Sequence, residues 1–231
     1  MRTWTVTLVL AALAALAAGG TPGAAGPNPA DFTPRIDNPW FPLTPGTTYI
    51  YRGVKDGQRS SEVLTVTRRT ALIDGVPCAA VDDRLYVRGR LHERTTDWYT
   101  QDKEGNVWYF GEATAELDEQ GNVTSTEGSW RAGRDGARPG IYMPAHPRVG
   151  QSFRQEFYKG HAEDHFRVVS LRATVSVPYT SSERALLTEE WSPLEPGVLD
   201  HKLYVRGIGT VLEQTIKGGN ERNELVAIRK S

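Results

Sequence analysis

The chain has 231 residues, with 27 Lys and Arg against 28 Asp and Glu, a formal net charge of −1. A balance this even excludes the broad basic footprint of a nucleic-acid binder and a polybasic membrane patch. The 23 glycines and 14 prolines make it rich in turns, and the length suits one large domain or two small ones.

The N-terminus reads as an export signal. Met1-Arg2 gives a short positive region, and Val6 to Ala18 is an apolar run too short to span a bilayer. Small residues then lead to a cleavage site after Ala25, with Ala18 as the competing position. No cysteine lies there to take a lipid anchor, and no later segment is long and apolar enough to cross a membrane. The expected location is therefore extracellular or in the cell-envelope space. Residues 26–45, rich in Pro, Gly and Asn, read as an extended or loosely docked arm, and residues 46–231 as a single domain. Cys78, alone in the chain, can form no internal disulfide and reads as a small buried hydrophobe.

From residue 46 onward, short alternating runs separated by turn residues predict antiparallel strands. These fall at Thr47 to Tyr51, Glu62 to Thr67, His92 to Gln101 and Asn106 to Gly111. Further strands are expected at Ser152 to Lys159, His165 to Val177, Ala185 to Trp191, Lys202 to Val205, Thr210 to Ile216 and Glu221 to Arg229. Asp102 to Gly105 is a hairpin turn, and Asp118 to Asn122 a second of the same kind. Short spacing favours meanders over crossover helices. A faint repeat aligns Pro45-Gly46-Thr47-Thr48-Tyr49 with Val149-Gly150-Gln151-Ser152-Phe153, and Tyr51-Arg52-Gly53 with Tyr158-Lys159-Gly160. The expected fold is mostly β, a strongly curved antiparallel sheet or incomplete barrel built from two duplicated meanders, about 46–127 and 148–231. Residues 128–147, without either period, read as the loop that joins them.

Several segments resemble a family of secreted bacterial proteins of actinobacterial type, itself uncharacterised. They are Asn38 to Tyr49, Gly105 to Glu112, Pro139-Gly140-Ile141-Tyr142-Met143-Pro144 and Ala162-Glu163-Asp164. The resemblance implies export and one domain, and brings no activity with it. A looser likeness, of architecture alone, is to periplasmic half-barrels that carry lipids.

Two clusters could hold chemistry. Trp98, Tyr99, Trp108 and Phe110, beside Asp97 and Glu112, would form an aromatic strip with orienting acceptors, suited to a small or lipid-like ligand. The same residues could instead be cross-strand pairs that fill a core. His161, Glu163 and His165 would share one face of a strand and could hold a divalent metal such as zinc, with Asp164 as a proton acceptor and His146 as a further ligand. A solvated polar turn is the plainer account of that cluster. The oxygen-rich turns at 102–106 and 118–122 lack the twelve-residue loop and terminal Glu of an EF-hand. Gly-x-Ser-x-Gly, a phosphate-cradling Gly-rich loop and Cys-x-x-Cys are all absent. The sequence therefore favours a non-enzymatic ligand-binding module without a cofactor. The alternatives are a metal-dependent secreted hydrolase and a protein that contacts a cell-envelope component.

Overall fold

The computed structural model describes residues 28–231; the expected signal segment, with Ala18 and Ala25, lies outside them. After one turn of 3-10 helix at Pro29–Asp31, the regular elements of the described chain are all strands. In order these are β1 (Phe32–Thr33), β2 (Thr47–Lys55), β3 (Gln58–Ile73), β4 (Val76–Val87), β5 (Arg90–Asp102), β6 (Val107–Leu117), β7 (Val123–Ser125) and β8 (Trp130–Arg131). They continue with β9 (Arg138–Met143), β10 (Ser152–Arg154), β11 (Glu156–Phe157), β12 (His165–Ser176), β13 (Ser181–Trp191), β14 (Leu199–Val205), β15 (Gly209–Lys217) and β16 (Arg222–Lys230). No described helix is long and apolar enough to cross a membrane.

Turn chemistry drives the first meander. Asp56-Gly57, Asp74-Gly75 and Arg88-Gly89 each take two successive positive φ angles, with φ of 51° and 71°, 49° and 77°, and 52° and 79°. Two-residue turns of that hand match the natural twist of a hairpin, and they fold β2 to β5 back on one another. β6 follows through the Asp102 to Gly105 turn, where Gly105 N donates to Asp102 O at 3.0 Å. The second meander runs β12 to β16, and β16 pairs with β2, which joins the two into one antiparallel sheet. Register shifts at Val66/Thr70 and between Val168 and Val175 mark bulges in the β3–β4 and β12–β13 hairpins. Bulges sharpen twist and bend, and the sheet curls into a nearly closed barrel.

The barrel has one seam. The path of thirteen strands begins at β10 and ends at β11, which are consecutive pieces of the same short segment. β10 pairs with β12, Gln155 N donates to Asp164 O at 2.8 Å, and β11 then pairs with β9. One six-residue stretch, 152–157, thus hangs on both ends of the sheet. β9 can approach it because Gly140 has no side chain: a Cβ there would lie 2.2 Å from Arg154 O.

Two expectations change. Residues 128–147 are not a plain connecting loop: they contain β8 and β9, with Trp130, Ala132, Ala137 and Met143 buried. Pro139 and Gly140 gave that strand the look of a turn. The described part of the N-terminal segment is docked, not loose, since Ile36, Phe41 and Leu43 are buried and β1 pairs with β5. Its Asn38 side chain donates to Gly105 O at 2.9 Å and Pro144 O at 3.2 Å.

The seam depends on that missing side chain. Gly140→Ala should destabilise the fold by about 2–3 kcal/mol, because the clash is with backbone that cannot swing aside. Thermal unfolding of the variant checks this, and an unchanged midpoint would mean that the seam is open.

Candidate functional site

Strand alternation decides what the barrel encloses. β5 sends Asp97 and Tyr99 inward, and β6 sends Tyr109 and Glu112 inward. These last two are three residues apart, and the bulge at Trp98/Tyr99 opposite Phe110 and Gly111 lets both face the same way. β2 contributes Tyr49 and Tyr51, β3 Glu62 and Leu64, β4 Asp83, and β9 Tyr142. Glu156 comes from β11, Glu190 from β13, Lys202 from β14 and Glu213 from β15, while Asp164 precedes β12. Together they line a chamber of about 260 Å³. One end is capped by Phe41, Pro42 and Leu43 beside Ile208 and Gly209. Gly207 N to Pro39 O (2.7 Å) and the Tyr49 hydroxyl to Pro42 O (3.0 Å) hold the cap in place.

The wall carries eight carboxylates: Glu62, Asp83, Asp97, Glu112, Glu156, Asp164, Glu190 and Glu213. Among the described residues that line it, Lys202 is the one base. Its Nζ lies 2.9 Å from Glu190 Oε2 and 3.4 Å from Glu213 Oε1. Burial works against that charge, yet Glu190 and Glu213 hold the ammonium well above its ordinary range. Three of the other acids find neutral donors: Tyr109 donates to Asp97 at 2.6 Å, Trp130 Nε1 to Glu156 at 2.6 Å and Asn223 Nδ2 to Glu62 at 2.8 Å, and the Tyr204 hydroxyl gives Glu190 a further donor at 3.2 Å.

Such an enclosure resists ionisation. Burial, reinforced by neighbouring carboxylates, pushes Asp97 up to about 7 and Glu156 up to about 8. Burial likewise raises Glu62, Asp83, Glu112, Asp164 and Glu213. For Glu62 the adjacent Asp83 carboxyl adds to the effect of burial.

The residues singled out in the sequence divide between the two faces of the sheet. Asp97, Tyr99 and Glu112 line the chamber. Trp98, Trp108 and Phe110 do not; they lie on the opposite face. Phe32 meets Trp108 and Phe110 edge-on there, at 5.9 and 5.6 Å, and the Arg131 guanidinium sits 4.4 Å from the Trp98 ring centroid. Aromatic rings occupy both faces at this point, Tyr99 and Tyr109 inside and Trp98, Trp108 and Phe110 outside, so aromatic character alone could not tell inside from outside.

The structure does not bring His161, Glu163 and His165 together as ligands. His161 Nδ1 lies 2.9 Å from Glu127 Oε1, Glu163 accepts from Gly160 N at 2.8 Å, and His165 stacks on Trp191 with Nδ1 2.8 Å from Glu163 O. Each is engaged with a different partner. His146 is exposed and lies off the chamber. Among the described residues, no three His, Cys, Asp or Glu groups converge as a metal set. Asp164, from the same cluster, does reach the chamber. Cys78 is buried, and burial pushes its thiol up to about 12.

No protein-family model matches the chain, and neither does any curated protein. Two solved structures align with it. One, from Bacteroides fragilis NCTC 9343, is provisionally classed as an exported protein with a YmcC-like fold. It has 14% identity and a TM-score of 0.47, over 83% of this chain and 99% of that one. The other, provisionally classed as a lipoprotein, is from Parabacteroides distasonis ATCC 8503. It has 10% identity and a TM-score of 0.44, over 82% of this chain and 98% of that one. What the chamber holds is therefore argued from its own residues.

The raised carboxylates fix the sign of a pH dependence. An acid with a higher pKa in the fold than in the unfolded chain favours folding while it keeps its proton, and that contribution fades as pH rises through the folded value. The melting temperature of the empty protein should fall between pH 5 and about 8, the range set by Asp97 and Glu156. Glu156→Gln should flatten the fall, read from melting curves at several pH values. A melting temperature that climbs over this range in both proteins would contradict the assignment.

Proposed function

We propose that this protein is an exported, non-enzymatic binding module that encloses a small organic cation. Export is supported by the N-terminal run from Met1 to Ala25. The observation that carries the ligand class is the imbalance of the chamber wall: eight carboxylates against one ammonium, already engaged. A cation entering would displace protons and supply the missing positive charge. Five tyrosines, Tyr49, Tyr51, Tyr99, Tyr109 and Tyr142, add ring faces and hydroxyls to the same wall. Tyr99 and Tyr109 stack at 4.8 Å, with Tyr142 edge-on to both. Ring faces attract ammonium groups, most strongly where water is excluded.

Size and polarity weigh against the lipid-like cargo that the sequence left open. Pockets for drug-sized ligands run to roughly 300–1,000 Å³ and are mostly apolar, whereas this one is smaller and its wall is largely carboxyl and phenol. Trp98, Trp108 and Phe110, three members of the strip that suggested a small or lipid-like ligand, face away from it.

Calorimetric titration with n-pentylamine tests the proposal. Saturable binding of one molecule per chain is expected, at least tenfold tighter at pH 8.5 than at pH 5.5, because acid restores protons to the carboxylates that hold the cation. Asp97→Asn should weaken it about tenfold, the loss of one charge-assisted hydrogen bond. Trp98→Phe, on the other face, should leave it unchanged. Equal affinity at both pH values, or binding of fatty acid in place of amine, would refute the reading.

A further inference from the structure

The chamber does not end at Glu62 and Glu213. Beyond them lies a second compartment of about 210 Å³, which shares Glu62, Asp83, Glu213 and Asn223 with the first. It carries a feature that the first reading leaves unexplained. Asp83 Oδ1, Asp200 Oδ1 and Asn223 Oδ1 are buried acceptors with no hydrogen-bond partner in the protein, and all three residues line this compartment. Asn223 is oriented by its own Nδ2, which donates to Glu62, so its oxygen is the atom left over.

The bases in the compartment are already paired. Lys55 Nζ is 3.0 Å from Glu221, and Arg222 is taken up by Glu224 (Nε at 3.1 Å) and by Gln214. Buried acceptors are normally satisfied, so three unsatisfied ones in a single compartment call for a donor. A primary ammonium has three N–H donors and no acceptor. That matches three orphan oxygens among carboxylates, whereas a water molecule brings only two hydrogens and no charge.

Resting on the reading of the first chamber, we propose that the ligand is an α,ω-diamine, with one ammonium among the tyrosines and carboxylates of the first chamber and the other on Asp83, Asp200 and Asn223 in the second. The shared wall at Glu62 and Glu213 then flanks the alkyl spacer. Asp200 belongs to the second compartment alone and reads out the second ammonium without touching the first.

The test is calorimetric titration of the full chain at pH 8 with putrescine, cadaverine and hexamethylenediamine, each against the monoamine of equal carbon number. At least one diamine should bind ten times more tightly than its monoamine or better. Asp200→Asn should abolish that advantage and leave monoamine affinity unchanged, which also certifies that the variant is folded. Equal affinity for every diamine and its monoamine would overturn the second site while leaving the first-chamber reading intact. Binding of neither would overturn both. A diamine advantage that survives both Asp200→Asn and Asn223→Leu would place the second ammonium elsewhere and refute the assignment.

Discussion

Eight carboxylates facing one another across a nearly closed barrel are the constraint on which the rest of this structure turns. Moving a charged carboxylate out of water costs several kcal/mol even after relaxation, and one lysine beside Glu190 and Glu213 can offset only part of it. The empty protein manages the remainder in two ways. Protons stay on groups such as Asp97 and Glu156, and phenol, indole and amide donors from Tyr109, Trp130 and Asn223 satisfy oxygens that would otherwise lack partners. This is a costly interior for a protein that needs only to be stable, and a suitable one for a protein that must hold a cation.

Stability is therefore drawn from elsewhere in the fold. Three two-residue turns set the first meander, and a continuous sheet leaves only one seam. The opposite face of β4 to β6 carries apolar mass that the chamber cannot supply. There, Trp98, Trp108 and Phe110 pack under Phe32 and Arg131, while the N-terminal segment continues round to cap the chamber with Phe41, Pro42 and Leu43. A single segment thus caps the chamber and stabilises the sheet from outside. The polar interior and the docked N-terminal segment depend on each other.

Much of this architecture was legible in the residues. Alternation located most of the long strands because their two faces differ, as in Thr47 to Tyr51. It missed β4, where Val76 and Cys78 to Val81 are buried on both faces and Asp82, Asp83 and Arg84 follow; Asp74-Gly75, a strong hairpin signal, marks the start of that strand. The site was half legible. Asp97, Tyr99 and Glu112 were visible as a group, but the neighbouring tryptophans drew attention to the wrong face. Glu62, Glu190 and Glu213 look like ordinary surface acids, each in a different strand. The available signal was their phase: Glu62 alternates with Leu64, Asp97 with Tyr99, Glu190 with the buried Thr188, and Glu213 with the buried Val211. One charge in step with the buried positions, in strand after strand, marks a polar interior. Spatial convergence of those charges needs the register of the whole barrel, which no local pattern contains.

The central claim is that the chamber exists to hold a positive charge. Native mass spectrometry of protein taken directly from its producing cells, compared with its denatured mass, tests that most directly. The account predicts an added mass of a small basic organic molecule, lost on acidification and reduced in Asp97→Asn. An added mass of an acyl chain, or of a metal ion retained in that variant, would contradict it.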